Sequence, residues 1–311
     1  MNFNSWNWFW NVWFGVTAVV IIIGNSLSIA VLVKRRFRKR CHYLLIDLAI
    51  ADLLVGLVAV PIYMITVISE AKLVSTVILD GVDMFTGLSS IFILTVISLE
   101  RLFAISRPLR HRQLSSHSYM IAIATPWILS LVVTSARVLL DYSIMTHHQF
   151  AIVIIISLST PLLITCTSYC VIWSQHASRM QSEVRTRREA RLSKTLFLIT
   201  GTFVLTWLPF QVLVVVANMC VPCRNMHIVV VFVLKLLQFG NSFLNFLIYC
   251  LRMPDYRKAV SNIVFKCKCH GRYNDSVFNM LGDSRTSVAL IRFSTLSLYN
   301  VPTNSCRDKV K

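Results

Sequence analysis

Seven apolar segments, each long enough to cross a lipid bilayer, constrain this chain more than any other feature. They lie at 10–33, 43–68, 76–104, 118–139, 149–174, 194–219 and 227–251. About 20 predominantly apolar residues span the roughly 30 Å of hydrocarbon, and only helices and closed barrels satisfy the backbone there. The sequence therefore predicts an all-α transmembrane fold, a seven-helix bundle.

The composition supports the same class of protein. Hydrophobic residues make up 56% of the chain and charged residues 14%, against about 25% charged residues in soluble domains. The first residues, "MNFNSWNWFWNVWFG", lack the features of a signal peptide and are typical of an interfacial aromatic belt. The sequence has no nucleophile–base arrangement and no metal-ligand spacing such as HExxH, so we expect neither an enzyme nor a metal site.

The net charge of +18 follows from the membrane topology. Basic residues cluster in alternate connections, at 34–40, 107–112, 179–194 and in the tail from 252 onward. The positive-inside rule assigns these segments to the cytoplasm. We therefore expect a plasma-membrane protein with an extracellular N-terminus and a cytoplasmic C-terminus. Its basic segments would face the lipid bilayer and a cytoplasmic partner, not nucleic acid.

The chain divides into four predicted regions. Residues 1–9 form a short extracellular N-terminus, and residues 10–252 form the seven-helix domain. Residues 253–269 form a short amphipathic cytoplasmic helix eight, because apolar residues recur at helical spacing after Pro254. Residues 270–311 are polar and predict a disordered cytoplasmic tail.

Two pairs of cysteines are candidates for covalent modification, one for a disulfide and one for palmitoylation. Cys220 and Cys223 in "CVPCRN" lie in an expected extracellular loop, where a disulfide is permitted. Cys267 and Cys269 in "VFKCKCH" follow the amphipathic segment and fit reversible palmitoylation, with ordinary free thiols as the alternative.

Polar residues inside the apolar segments need internal partners, because lipid offers none. They are Asn25, Asp52, Ser90, Asn241, Ser242 and Asn245. We expect them to converge on one polar network. Asp52 is its acid, so hydrated Na⁺ or a proton is a natural occupant, and a water-filled structural network is the alternative.

The third segment places two opposite charges on one helix face. Asp83 and Arg101 are 18 residues apart, which is about five turns and roughly 27 Å. A carboxylate in hydrocarbon is costly unless it is paired or faces a cavity, so Asp83 is a candidate functional residue. Glu100 is placed to pair with Arg101, and Glu189 can hold Arg101 from across the bundle.

Several motifs occur in the order and on the segments of one known family. They are "GN" (Gly24, Asn25), "LAIAD" ending in Asp52, "LERLFAISRPLRH", Trp127, Pro161 with Tyr169, "TWLP" (Thr206–Pro209) and "NFLIY" (Asn245–Tyr249). Over about residues 8–270 the chain resembles the rhodopsin-like (class A) G-protein-coupled receptors.

This resemblance implies a mechanism. Arg101 would be the cytoplasmic switch, restrained by Glu100 and Glu189 in the inactive state. Outward movement of helix six would then expose a cleft lined by Arg101, Tyr169 and Tyr249, which admits a heterotrimeric G protein. Arrestin and receptor kinases are further expected partners.

The resemblance is nearest to the biogenic-amine receptors, in which the position of Asp83 holds the ligand's ammonium group. The other candidate ligand-binding residues are Gly87, Ser157, Trp207, Phe210, Gln211, Lys235 and Phe239. Trp207, Phe210 and Phe239 would form an aromatic cage around a cation. We therefore favour a small extracellular ligand, a biogenic amine or another cationic molecule.

Lys235 leaves the ligand class open. An ion pair with Asp83 would favour a peptide, lipid or zwitterionic ligand, whereas a Lys235 that snorkels to the surface would leave Asp83 free. An opsin-like retinal protein is a further alternative, but Phe239 occupies the position of the retinal-binding lysine. A seven-helix pump or channel would leave Arg101 and Glu189 unexplained.

The chain also departs from the family. Thr76 stands where helix three usually has a disulfide cysteine, and the loop at 140–149 has no cysteine either, so that disulfide is absent. Phe246 replaces the usual proline of helix seven, Thr206 the cysteine before Trp207, and Leu102 the tyrosine after Arg101. We expect an altered activation threshold and the same fold.

Overall fold

The seven apolar segments form seven long helices. The computed structural model describes residues 3–34, 40–68, 75–178, 184–220 and 227–263. The helices are α1 (Phe3–Leu32), α2 (beginning with Arg40–Leu54), α3 (Thr76–Ser106), α4 (Ser116–Asp141), α5 (His147–Ser178), α6 (Val184–Met219) and α7 (Ile228–Arg252). All seven are long and apolar enough to cross a membrane. The predicted all-α seven-helix fold is confirmed.

Two helices begin seven or more residues before the apolar segments indicate, and α2, α4 and α5 begin two or three residues before. α1 begins at Phe3, within the predicted 1–9 terminus, and α6 begins at Val184 instead of 194. The reason is that apolar runs mark only the part of a helix that lies in hydrocarbon. Arg, Glu and Ala in "VRTRREARLSK" have high helix propensity and continue α6 beyond it.

The second half of α2 departs from regular α-helix. After Leu54 the helix continues through π-helical Val55–Ala59, α-helical Val60–Tyr63 and π-helical Met64–Ile68. Pro61 lies between the two π-helical turns and has no backbone N–H to donate. The wider turns shift the side chains that α2 presents to the bundle.

An aromatic cluster joins α1, α2 and α7 near the predicted ligand site. Phe14 is fully buried, and its ring lies 5.1 Å from Tyr63, 6.1 Å from Phe232 and 6.1 Å from Phe239. Trp10 packs edge-on to Phe232 at 5.1 Å. Edge-to-face aromatic packing is favourable beyond the area that it buries, so this cluster fixes one wall of the site.

The chain separates into two compact units, 1–257 and 258–311. In the first, Tyr256 is buried and its hydroxyl donates to Ser28 Oγ at 2.7 Å. Residues 254–257 of the first unit and 258–263 of the second are helical. Helix eight over 253–269 stays a prediction. Cys267, Cys269 and the 270–311 tail lie outside the described residues.

We predict that Gly56→Ala destabilises the bundle. A Cβ atom at Gly56 would lie 2.9 Å from Ile21 Cγ2 and 3.2 Å from the Ala18 carbonyl oxygen, and such overpacking costs about 1–3 kcal/mol. The matched control is Gly201→Ala, where a Cβ meets nothing within 4 Å. Thermal denaturation of the purified protein should show a lower melting temperature for Gly56→Ala alone. Equal melting temperatures for the two variants would contradict the prediction.

Candidate ligand pocket and arginine switch

A buried ion pair joins α3 to α7. Lys235 Nζ lies 2.6 Å from Asp83 Oδ2, and the two side chains are 3% and 15% exposed. Lys235 therefore does not snorkel to the surface. Of the two arrangements that the sequence left open, the structure has the ion pair.

Gln238 completes this ion pair as a third member. Its amide oxygen accepts a hydrogen bond from Lys235 Nζ at 3.1 Å. Its amide nitrogen donates to Asp83 Oδ1 at 3.4 Å. Gln238 lies one turn after Lys235 and is buried, so one side chain contacts the cation and the anion at once.

Two rings of the predicted aromatic cage, Phe210 and Phe239, lie around Lys235, and Tyr63 takes the place predicted for Trp207. The Nζ atom of Lys235 lies 4.2 Å from the ring centre of Phe210, 4.7 Å from Phe239 and 5.5 Å from Tyr63. These distances are within the range of cation–π attraction. The cage that we assigned to a ligand's cation thus holds an ammonium group of the protein itself.

Trp207 forms the floor of the pocket. A Cβ atom at Gly87 would lie 3.0 Å from the indole Nε1, so the absence of a side chain at Gly87 lets the ring approach α3. Trp207 stacks on Phe203 at 5.3 Å. Among the described residues its buried Nε1 has no hydrogen-bond partner.

A small cavity lies beside Trp207, below Asp83. Asp83, Gly87, Trp207, Gln238 and Phe239 contribute to the walls of a cavity of about 10 Å³, which is about the minimum that holds one water. The cavity in its present form is therefore too small for an organic ligand.

Four predicted ligand residues do not line this cavity: Phe210 and Lys235, which contact each other beside the ion pair, and Ser157 and Gln211. The hydroxyl of Ser157 donates to the Val153 carbonyl at 2.7 Å within α5. Gln211 is buried but is not among the residues that form the cavity walls. Their roles as ligand contacts stay predictions.

The predicted polar network forms around Asp52. Asn245 donates to its Oδ2 at 2.6 Å and Ser90 to its Oδ1 at 3.2 Å. Asn25 donates to the Ser242 carbonyl at 3.0 Å, and Asn241 accepts from Thr206 at 3.2 Å. The cavity below Asp83 reaches Ser90, Asn241 and Ser242, so polar groups connect the two acids. Na⁺ at Asp52 stays a prediction.

The Arg101 end of α3 carries a second buried charge cluster. Arg101 Nη2 lies 2.7 Å from Glu100 Oε2. The other carboxylate oxygen lies 2.8 Å from His111 Nε2 and accepts a hydrogen bond from the Tyr119 hydroxyl at 3.1 Å. Glu100 thus contacts three side chains, and its ion pair with Arg101 agrees with the prediction from the sequence.

The structure describes the side chains of two further predicted switch residues and not that of the third. Tyr169 and Tyr249 are buried. The Tyr169 ring lies 5.6 Å from Phe197. Glu189 lies in α6, but its side chain is outside the described part of the chain. Cys220 is disulfide-bonded, and its predicted partner Cys223 is not among the described residues.

Sequence reasoning missed several polar contacts. Asp47 accepts a hydrogen bond from the Trp127 indole at 2.9 Å, and Asp80 accepts one from Arg137 Nε at 2.9 Å. Gln238 was missed as well. The available signal was a polar side chain three residues from Lys235 in the otherwise apolar first half of α7.

The structure has the features of a seven-helix membrane receptor. It has seven apolar helices, an ion pair between α3 and α7, and a buried arginine about five turns beyond Asp83 on α3. Residues 24–249 match the family described as 7 transmembrane receptor (rhodopsin family). The chain belongs to this family of class A G-protein-coupled receptors, as its motifs predicted.

Individual receptors resemble the chain over most of its length. The D(1)-like dopamine receptor of Oreochromis mossambicus is 29% identical, over 80% of this chain and 76% of the receptor. The octopamine receptor beta-2R of Chilo suppressalis is 24% identical, over 81% and 78%. The adenosine receptor A2b of Gallus gallus is 25% identical, over 82% and 87%. These relatives are receptors and not enzymes.

We predict that Asp83→Asn destabilises the protein more than removal of both charges. The single substitution leaves Lys235 buried without a counter-ion, which costs about 3–5 kcal/mol. Asp83→Asn/Lys235→Met removes both charges and should recover most of this loss. Melting temperatures in detergent measure the difference. A double variant as unstable as Asp83→Asn would contradict the role of the ion pair.

Proposed function

We propose that this receptor activates a heterotrimeric G protein in response to a small zwitterionic ligand. The ligand's ammonium group would pair with Asp83 and its carboxylate with Lys235. The observation that carries this proposal is the distance of 2.6 Å between Lys235 Nζ and Asp83 Oδ2.

Ligands of different charge leave different groups of the ion pair without a partner. A simple amine that takes Asp83 would leave the ammonium of Lys235 buried and unpaired. A simple carboxylate that takes Lys235 would leave Asp83 in the same condition. Either result is strongly unfavourable in a buried site. A zwitterion replaces both halves of the ion pair, so no buried charge loses its partner.

The relatives support the ammonium half of this ligand. Two of them are receptors for dopamine and octopamine, and both of these molecules are amines. The aromatic rings around Lys235 Nζ also suit a ligand ammonium once the lysine has moved. Lys235 supports the carboxylate half.

The remainder of the mechanism follows from the proposed role of α3. Displacement of Lys235 from Asp83 would free α7 to shift, and a ligand that binds the shifted state better biases the equilibrium towards it. At the other end, release of Arg101 from Glu100 would open the G-protein cleft as α6 moves outward. We place the ligand site on the extracellular side of the plasma membrane. Arrestin and receptor kinases remain expected partners.

A matched set of three compounds tests the ligand class: tyrosine, its decarboxylated amine tyramine, and the amine-free acid hydroxyphenylpropionate. Equivalent sets of an amino acid, its amine and its amine-free acid are tested for several other amino acids. In the set that activates the receptor, we expect the wild type to respond best to the zwitterionic amino acid. Lys235→Met should shift the preference to the amine, because the site then has an unpaired carboxylate. A cell-based G-protein assay measures both responses.

The outcome that contradicts the proposal is equally specific. A wild type that responds to tyramine, dopamine or octopamine as strongly as to the corresponding amino acids would contradict the zwitterionic ligand and support a simple amine ligand. A response to adenosine that Lys235→Met and Asp83→Asn leave unchanged would place recognition outside the ion pair.

We predict that Glu100→Gln raises signalling without ligand. The substitution keeps the size of the side chain but removes the charge that holds Arg101 at 2.7 Å, so the restrained state loses stability. Arg101→Ala should abolish coupling in both backgrounds. Basal second-messenger levels, normalised to surface expression, measure the effect. Unchanged basal signalling in Glu100→Gln would show that this ion pair does not restrain activation.

A further inference from the structure

Gln238 is the residue of the pocket that touches both charges. Its amide oxygen lies 3.1 Å from Lys235 Nζ and its amide nitrogen 3.4 and 3.5 Å from the two oxygens of Asp83. The three side chains therefore contact one another, and Lys235 and Gln238 are buried. An amide is the group that can do this without adding charge, because it accepts through oxygen and donates through nitrogen.

The charge at position 238 therefore decides whether Asp83 is the sole counter-ion that contacts Lys235 among the described residues. With a neutral glutamine, the carboxylate of Asp83 is the counter-ion of Lys235 at 2.6 Å. A glutamate of the same shape would bring a carboxylate oxygen to about the 3.1 Å position that the amide oxygen now occupies. Lys235 would then have a second anion one helical turn away, on its own helix.

We propose that Gln238 is the specificity-determining residue that sets the charge class of the ligand. Among the described residues, the charged side chains that Gln238 contacts are one anion, Asp83, and one cation, Lys235, so their net charge is zero. An acid at 238 makes it −1, and a cationic ligand then restores neutrality. This inference rests on the proposed function in treating the Asp83–Lys235 pair as the ligand site.

A second effect acts in the same direction. In Gln238→Glu the group facing Asp83 at 3.4 Å would be an oxygen instead of a donating amide nitrogen. Two carboxylates at this distance repel each other, so Asp83 would turn away from position 238 and from Lys235. A carboxylate released in this way is available to a ligand's ammonium group.

The test compares substitutions of one position that differ in charge. Gln238→Glu should gain a response to tyramine, dopamine or octopamine, with a half-maximal concentration at least about tenfold below that of the wild type. Gln238→Leu, which is also neutral, should gain none. Asp83→Asn/Gln238→Glu returns the net charge to zero and should also gain none. An amine response in Gln238→Leu equal to that in Gln238→Glu would overturn the inference, because charge would then be irrelevant.

Surface expression provides an independent measurement where Gln238→Glu folds poorly. Asp83→Asn removes the counter-ion of Lys235, and Gln238→Glu in the same protein supplies a new one. The double variant should therefore reach the cell surface and melt at a higher temperature than Asp83→Asn. Failure of this rescue would show that position 238 does not reach Lys235 and would overturn the inference.

The two proposals fail in different ways. A wild type that ignores zwitterions, beside a Gln238→Glu variant that gains amine sensitivity, would refute the zwitterionic ligand and retain the role of Gln238. A wild type that prefers zwitterions, beside a well-expressed Gln238→Glu variant that stays insensitive to amines, would do the reverse.

Discussion

The buried ion pair between Asp83 and Lys235 is the interaction on which the rest of this receptor depends. Charges in the interior of a membrane protein require partners, and each of these two is the other's nearest counter-charge at 2.6 Å. The pair joins α3 to α7 and leaves a cavity of about 10 Å³ beneath it. In the proposed mechanism, ligand binding and movement of α7 both depend on the opening of this ion pair.

The helices that carry this pair also carry the parts of the receptor that would respond to it. α3 continues from Asp83 to Arg101, and α7 continues from Lys235 to Asn245 and Tyr249. Asn245 donates to Asp52 at 2.6 Å, so a shift of α7 alters the polar network before it reaches Tyr249. The shared helix and the Asn245–Asp52 contact give a physical route by which a shift of α7 would reach the polar network.

The sequence predicted those features that depend on composition and helical period. Length and hydropathy indicate seven helices, and spacing along α3 puts Asp83 and Arg101 on one face. The hydrogen bond from Trp127 to Asp47 at 2.9 Å and the contact of His111 with Glu100 at 2.8 Å were not predictable. They depend on how neighbouring helices rotate and on where a short connection folds back. Neither leaves a periodic signal in the sequence.

Two ion pairs one turn apart on α3 differ in burial, and this difference decides how strongly each pair resists separation. Asp80 pairs with Arg137 at 2.9 Å, but its side chain is 49% exposed. An exposed pair contributes about 0–1 kcal/mol, because water replaces either partner at little cost. In the buried pair, removal of one partner costs about 3–5 kcal/mol. A ligand that competes only with Arg137 for Asp80 therefore gains little selectivity. A ligand that separates Lys235 from Asp83 has to supply a partner for each of them.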